Sequence, residues 1–284
     1  MKLALSLDVF GQGFAAQGED PANSSLVEAA LKILRDAGLR YVADLTIAAA
    51  SSGASSEAWA ARWHNLLRWH DLSLASARPV LGSPYEASAE LAEASLQMAS
   101  RLGAAAIFVD AGEDTEGAAR QTAVRRLQAL GDASRRLGMT LCLETKPGLC
   151  GDARGMAATL KEVNHPAVHL CFDTGEYLRL NPGASGEIAL QRVLPLVAAV
   201  RLSDFHSLGD VAVAPPLGAG LGVDFARTLQ ILESVEFAGP VIVYFSPPAS
   251  RRADNQQSLI EATRQALDES LKTLRECGWF SSAH

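Results

Sequence analysis

The chain has 284 residues, 48% of them hydrophobic, enough for one barrel-sized core or two smaller ones. Its formal net charge of −7 argues against a general affinity for nucleic acid, which needs a basic face to displace counterions. Its apolar runs fall far below the ~20 residues that span a bilayer. The first ten residues carry one lysine and no small-residue cleavage site, so they read as a strand and the protein as cytoplasmic.

In chain order, LALSLDV (3–9) is the first candidate strand. The loop after it contains GQG, which lacks the third glycine at the spacing of a dinucleotide fingerprint. Ser24 or Ser25 can cap the helix LVEAALKILRDAG, with Glu28 on its first turn and Gly38 as its C-terminal stop. YVADLTI (41–47) is the second strand, ending near Asp44. An Ala/Ser/Gly loop precedes SEAWAARWHNLLRWH, where Trp59, Trp63, Leu66, Leu67 and His70 recur at helical spacing and read as core packing. LSLASARPV (72–80) is the third strand, with Arg78 at its end. An amphipathic helix ended by Gly103 leads to the fourth strand, AAIFVDAG (105–112), with Asp110 at its tip. Another helix, AVRRLQALGDASRRLG, ends at Gly138.

Three apolar runs follow, each of strand length and each ending in polar residues. MTLCLETKPG ends on Glu144 and Lys146, VHLCFDTGEY on Asp173 and Glu176, and AAVRLSDFHS carries Arg201, Asp204 and His206. Short apolar runs without polar alternation are how parallel strands buried on both faces read. NPGASGEIALQRVLPLV is a turn and helix between the second and third of these runs, and SLGDVAVAPPLGAGLGVD is a long Gly- and Pro-containing loop. A helix, the eighth strand PVIVYFSPP (240–248) and a long terminal helix close the chain. Eight strands alternating with helices, without a linker, predict a single (β/α)8 TIM barrel in the α/β class, with its site at the C-terminal face.

The charged strand ends should therefore share one site. Glu144 and Asp173 can serve substrate binding or acid–base catalysis, or form a structural ion pair with Arg201. Lys146, two residues past Glu144, can face the same cavity as a base or Schiff-base nucleophile, or stand as a solvated rim charge. His206 is a candidate general base because its ordinary pKa lies near neutrality, or a rim histidine with no catalytic role. Cys142, Cys150, Cys171 and Cys277 lack zinc-finger spacing. Cys142 and Cys171 stand two residues before strand-end carboxylates, so they should point inward as small apolar fillers.

RLGAAAIFVDAG, LCLETKPG, LCFDTGEY, VRLSDFH and PLGAGLGVDF, in that order and spacing, resemble the xylose isomerase-like TIM-barrel superfamily, the sugar phosphate isomerase/epimerase group. The resemblance implies proton transfer next to a carbonyl on a small polyhydroxylated or keto-acid substrate. It also implies a homodimer and a divalent metal (Mn, Mg or Zn) held by Glu, Asp, His and Glu from strands five to eight. Glu144 and Asp173 stand at the first two ligand positions, but Arg201 stands where the histidine is expected and Tyr244 where the last glutamate is. Glu176 replaces a histidine at a position that usually contacts substrate, Arg78 and Asp110 replace frequent histidines of strands three and four, and Asp44 can stand for a strand-two acid. Arginine has no lone pair for a metal and instead pairs with carboxylates. No cofactor is therefore expected, and Glu144 and Asp173 would be the remaining ligands if a metal bound. Arg201, Glu176, Tyr244, Arg78 and Asp110 are expected to bind substrate. The alternative is a non-catalytic sugar-binding or regulatory homologue. DNA repair, a third activity of the superfamily, fits poorly with the acidic charge.

Overall fold

The computed structural model describes residues 1–10, 25–48, 54–80, 89–113, 116–208, 211–220, 222–246 and 256–279. The barrel strands are β1 (Lys2–Ser6), β2 (Tyr41–Ala43, resumed as Leu45–Ala48), β3 (Ser73–Leu74, resumed as Ser76–Val80) and β4 (Ala106–Val109). They continue with β5 (Thr140–Glu144), β6 (Val168–Asp173), β7 (Val197–Leu202) and β8 (Pro240–Val243). All neighbouring pairs run parallel, and β8 returns to pair with β1, with Leu3 opposite Val241. The halves of β2 and β3 pair with one another on both sides of their breaks, so the circle closes.

The described helices are α1 (Ser25–Asp36), α2 (Ala54–Trp69), α3 (Ala89–Arg101), α4 (Gly117–Arg136), α5 (Ala153–Val163), α6 (Thr174–Leu180), α7 (Gly186–Val193), α8 (Phe225–Ser234) and α9 (Gln256–Glu276). The expected glycine stops stand: Gly38, Gly103 and Gly138 all have φ between 72° and 78°, the left-handed region open to glycine at a helix C-terminus. Among the described residues no helix is long and apolar enough to cross a membrane.

The predicted boundaries need several corrections. β1 ends at Ser6, and Leu7–Phe10 is a 3-10 turn rather than strand. β2 breaks at Asp44, whose φ of +58° leaves the extended region. β3 breaks at Ala75, and β4 is shorter than expected at both ends. Helices α5 and α6 were not read from the sequence; α6 starts directly on Asp173, whose side chain caps it by accepting from the Glu176 N–H at 3.0 Å. The long loop after β7 contains a short antiparallel pair, His206–Leu208 with Val211–Val213. The GQG loop, Ser24, the Ala/Ser/Gly loop at 49–53 and the last two residues of the predicted eighth strand lie outside the described residues.

Two apolar layers result. The larger lies between the strands and the helices and includes the α2 residues Trp63 and Leu67, with Trp59 and Leu66 packed against it. The smaller fills the barrel and consists of Ala4, Ala43, Ala75, Ala106, Phe108, Cys142, Cys171, Ala199 and Ile242. These are the inward positions of a period of two, and the preponderance of alanine leaves Phe108 as the bulky plug. Cys142 and Cys171 are the expected inward fillers, free and buried, and burial pushes both thiols well above their ordinary range. Two residues further along β5, β6, β7 and β8 stand Glu144, Asp173, Arg201 and Tyr244, the layer above the plug.

Gly131 brings α4 close to the base of β6. A Cβ there would sit 2.6 Å from His165 Nδ1 and 2.7 Å from Val168 Cγ2. His165 cannot easily yield, because Nδ1 accepts from the Ala167 N–H at 3.1 Å and Nε2 contacts Asp132. Gly131→Ala should therefore destabilise the barrel by ~1–3 kcal/mol through overpacking, despite a helix-propensity gain of up to ~1 kcal/mol. Urea unfolding checks this, and a variant more stable than the parent would show that the junction is looser than the geometry implies.

Candidate functional site

The centre of the site is the Arg201 guanidinium, carried inward by β7 and almost fully buried. Nη1 donates to Glu144 Oε1 at 2.8 Å and lies 3.5 Å from Asp173 Oδ2. Nη2 donates to Asp44 Oδ1 at 2.9 Å. Carboxylates from β2, β5 and β6 thus converge on one cation. The break in β2 belongs to this arrangement: Asp44 sits at the left-handed position, its N–H donates to Ser76 Oγ at 3.0 Å, and its carboxylate is buried against Arg201. Such a conformation costs roughly 1–2 kcal/mol in most residues and less in aspartate.

Arg78 forms the second positive centre. It donates to Glu144 Oε1 at 2.7 Å, approaches Asp44 at 3.5 Å and pairs closely with Asp8. Glu144 is therefore gripped by two guanidinium groups. Burial alone would favour its neutral form, but Arg78 and Arg201 outweigh it and hold the carboxyl down at about 2. Asp173 behaves oppositely. Burial raises its pKa, and neither Arg201 nor the hydrogen bonds from Ser203 Oγ and the Glu176 N–H restore it. Asp8 is likewise raised by burial despite Arg78.

A cavity of about 200 Å³ opens over this cluster at the C-terminal mouth, lined by Asp8, Arg78, Lys146, Asp173, Glu176, Arg179, Arg201, Ser203 and Tyr244 among others. Of the residues singled out in the sequence, Arg78, Lys146, Asp173, Glu176, Arg201 and Tyr244 meet here, and Glu144 lies buried behind the two arginines. Lys146 is half-buried. Glu176 is held by Arg179 in a two-pronged contact at 2.6 and 2.7 Å. Tyr244 turns its ring toward Arg201, with 6.0 Å between ring centre and guanidinium carbon, and its hydroxyl reaches Ser246 Oγ at 3.3 Å.

Asp110 and His206 do not line this cavity. Asp110 accepts from the Gly112 N–H at 2.8 Å and so closes its own turn. His206 stands in the short antiparallel pair opposite Val213, its Nδ1 buried without a hydrogen-bond partner among the described residues. Asp204 is structural: it accepts from the N–H groups of Phe205, Gly218 and Gly220 at 2.8, 3.0 and 2.9 Å. A Cβ at Gly220 would collide with that carboxylate, which explains the glycine. The sequence reading missed Asp8, Ser203 and Arg179. Asp8 lies in the 3-10 turn after β1, beyond the strand alternation, whereas Arg179 stands three residues after Glu176 and was visible as spacing.

Removing one partner of a buried charge cluster leaves the others uncompensated. Arg201→Ala should destabilise the protein by ~3–5 kcal/mol, and Arg201→Met with Asp44→Asn, Glu144→Gln and Asp173→Asn should recover much of that loss. The acid limb should carry Glu144's signature. Because its folded pKa is depressed, its contribution is present above the unfolded value near ~4.3 and is lost as pH falls toward about 2. Glu144→Gln should flatten that loss in urea titrations between about pH 4 and 2. An unchanged acid limb would show that Glu144 is not held by the two arginines.

The xylose isomerase-like TIM barrel family model matches residues 31–277. No curated protein matches the chain by sequence. Among solved structures, D-allulose 3-epimerase from Methylomonas sp. aligns with a TM-score of 0.70 at 17% identity, over 98% of each chain. A probable 3-DHS dehydratase from Bacillus anthracis aligns at 0.69 and 17%, over 94% of this chain and 99% of that one. A xylose isomerase-like TIM barrel protein from Mycobacterium smegmatis, in complex with magnesium, aligns at 0.65 and 23%, over 94% and 97%. At these identities the structural likeness speaks for the fold alone. The family match, spanning all but the first 30 residues and the last seven, carries more: the chain belongs to the xylose isomerase-like TIM barrel family.

Proposed function

We propose that the protein binds a small polyhydroxylated or keto-acid compound in the cavity at the C-terminal mouth and moves a proton next to its carbonyl, as sugar isomerases and epimerases do. The observation that carries this reading is Asp173. It lines the cavity, and its carboxyl has a raised affinity for a proton beside the fixed positive charge of Arg201. A carboxylate with raised pKa is a stronger base than a solvated one. The negative charge that develops on the substrate oxygen as the proton leaves faces Lys146 and Arg201, and a preorganised cation stabilises it without reorganisation. Glu144, held at about 2, is too weak a base for the task and instead orients the two arginines. Tyr244 and Ser246 offer hydroxyls to a polyhydroxylated ligand. The cavity of about 200 Å³ is smaller than the ~300–1,000 Å³ of drug-sized sites, which suits a small metabolite.

The carboxylates at the mouth are spent on guanidinium groups that offer no lone pair, so the donor set does not fit a divalent metal and no step of this reaction runs through one. The double grip on Glu144 also favours the second reading, a sugar-binding homologue that does not turn its ligand over.

The two readings part in deuterium oxide. Sugars and keto acids that raise the melting temperature are incubated with the protein and followed by proton NMR. Deuterium should enter at the carbon next to the carbonyl of at least one of them. The rate should rise with pH through the raised pKa of Asp173 and then level off, because the base must be ionised. Asp173→Asn should slow exchange by ~10²-fold or more while retaining ligand-induced stabilisation. A ligand that stabilises the protein yet never exchanges would leave the binding reading and sink the enzymatic one.

A further inference from the structure

The Arg201 guanidinium stands where three acidic side chains from three different strands meet: Asp44 Oδ1 at 2.9 Å, Glu144 Oε1 at 2.8 Å and Asp173 Oδ2 at 3.5 Å. Three acidic side chains brought together out of water need a cation among them. A divalent ion is one solution and a protein side chain is another. The surroundings here suit the second. The guanidinium carbon lies 5.6 Å from the centre of the Phe108 ring and 6.0 Å from that of Tyr244. Aromatic rings attract a flat, weakly hydrated organic cation and give no oxygen to a metal, whereas magnesium or manganese asks for about six oxygen ligands around it. The carboxylates lie on the edge of the guanidinium, where its N–H bonds point, which is the geometry of a fork and not of a coordination sphere.

We propose that Arg201 is a tethered cation that takes the place of a divalent metal among Asp44, Glu144 and Asp173, and that its side chain is what excludes a metal from this site. The ion is thereby made part of the chain: it cannot dissociate or be chelated, and unlike a metal it has no open coordination position for a substrate oxygen. Any ligand must meet it through hydrogen bonds and charge alone. Arg78 reinforces the arrangement by sharing Glu144 Oε1 and approaching Asp44 Oδ1. The proposal does not rest on the reaction assigned above, because it concerns the folded protein without substrate.

Manganese is the probe, since its free and bound forms are distinguished by electron paramagnetic resonance. The wild-type protein should bind none at this site, and its melting temperature should be indifferent to manganese and to a chelator. Arg201→Ala withdraws the cation that the three carboxylates share and leaves Arg78 on Glu144 Oε1 and Asp44 Oδ1, so the carboxyl groups can turn their other oxygens to a metal as a hard-oxygen donor set. Its affinity for manganese should rise by about tenfold or more over the parent, and its melting temperature should climb with manganese concentration. Arg201→Lys keeps the charge and should remain as indifferent as the parent. One equivalent of manganese bound by the wild type and released by Glu144→Gln would overturn the proposal. So would a folded Arg201→Ala that binds no more manganese than the parent, or an Arg201→Ala that stays unfolded at every manganese concentration, because a vacated cation position should be refilled by the metal.

Discussion

Much of this barrel's mouth follows from one electrostatic constraint: a guanidinium taken out of water must be surrounded by acid. Arg201 and Arg78 share Asp8, Asp44, Glu144 and Asp173. If all six were ionised, the cluster would hold an excess of negative charge in a place where charge is costly. The structure resolves this unevenly. The two arginines are concentrated on Glu144, whose carboxyl is driven down, while burial pushes Asp8 and Asp173 up. Three of the four acids are thus sorted into one whose charge is held by the arginines and two that hold a proton more readily. The sorting follows from which oxygen each arginine nitrogen reaches, and it leaves the two more basic carboxyls on the cavity wall.

The backbone bends to meet the same constraint. β2 is the strand whose continuity is broken by a non-glycine residue at positive φ, and that residue is Asp44, the acid buried against Arg201. A regular strand would have carried its side chain through the ordinary alternation. Residues held in sparsely populated conformations persist where surrounding structure over-determines them. Here the over-determination is visible: pairing of β2 with β3 on both sides of the break, a hydrogen bond donated by the Asp44 N–H to Ser76 Oγ on the neighbouring strand, and the salt bridge itself.

This divides what could be read from the sequence from what could not. The eight strands, their order and the inward alternation Cys142–Glu144 and Cys171–Asp173 were legible, because period-two placement and parallel pairing leave little freedom once a barrel is recognised. That Arg201 would pair with Glu144 followed from charge and layer. Its bond to Asp44, and the grip of Arg78 on Glu144 and Asp8, did not, because these depend on side chains reaching across the barrel and on a break in β2 that no propensity announces. Asp110 was misjudged for a related reason. It has the right parity, but β4 ends at Val109, and Asp110 already closes the following turn with Gly112. His206 shows the limit of proximity in sequence: five residues beyond Arg201, it has already left the barrel for a short antiparallel pair.

A site organised in this way treats a ligand differently from one with free charges. The arginines already have partners, so an incoming molecule gains less from them than from unspent groups, and it need not pay for ordering them. Their contribution is a fixed potential, in place before the ligand arrives and unaltered by its departure. On the proposed function, discrimination would fall to groups whose partners are neutral or weak: the Lys146 side chain, the Tyr244 and Ser246 hydroxyls, and the Asp173 carboxyl, which would give or take the proton. Fixed charge below and adaptable polar groups above is an arrangement suited to compounds that differ in the position of a hydroxyl or a proton, since the field is common to all of them and only the upper layer senses the difference.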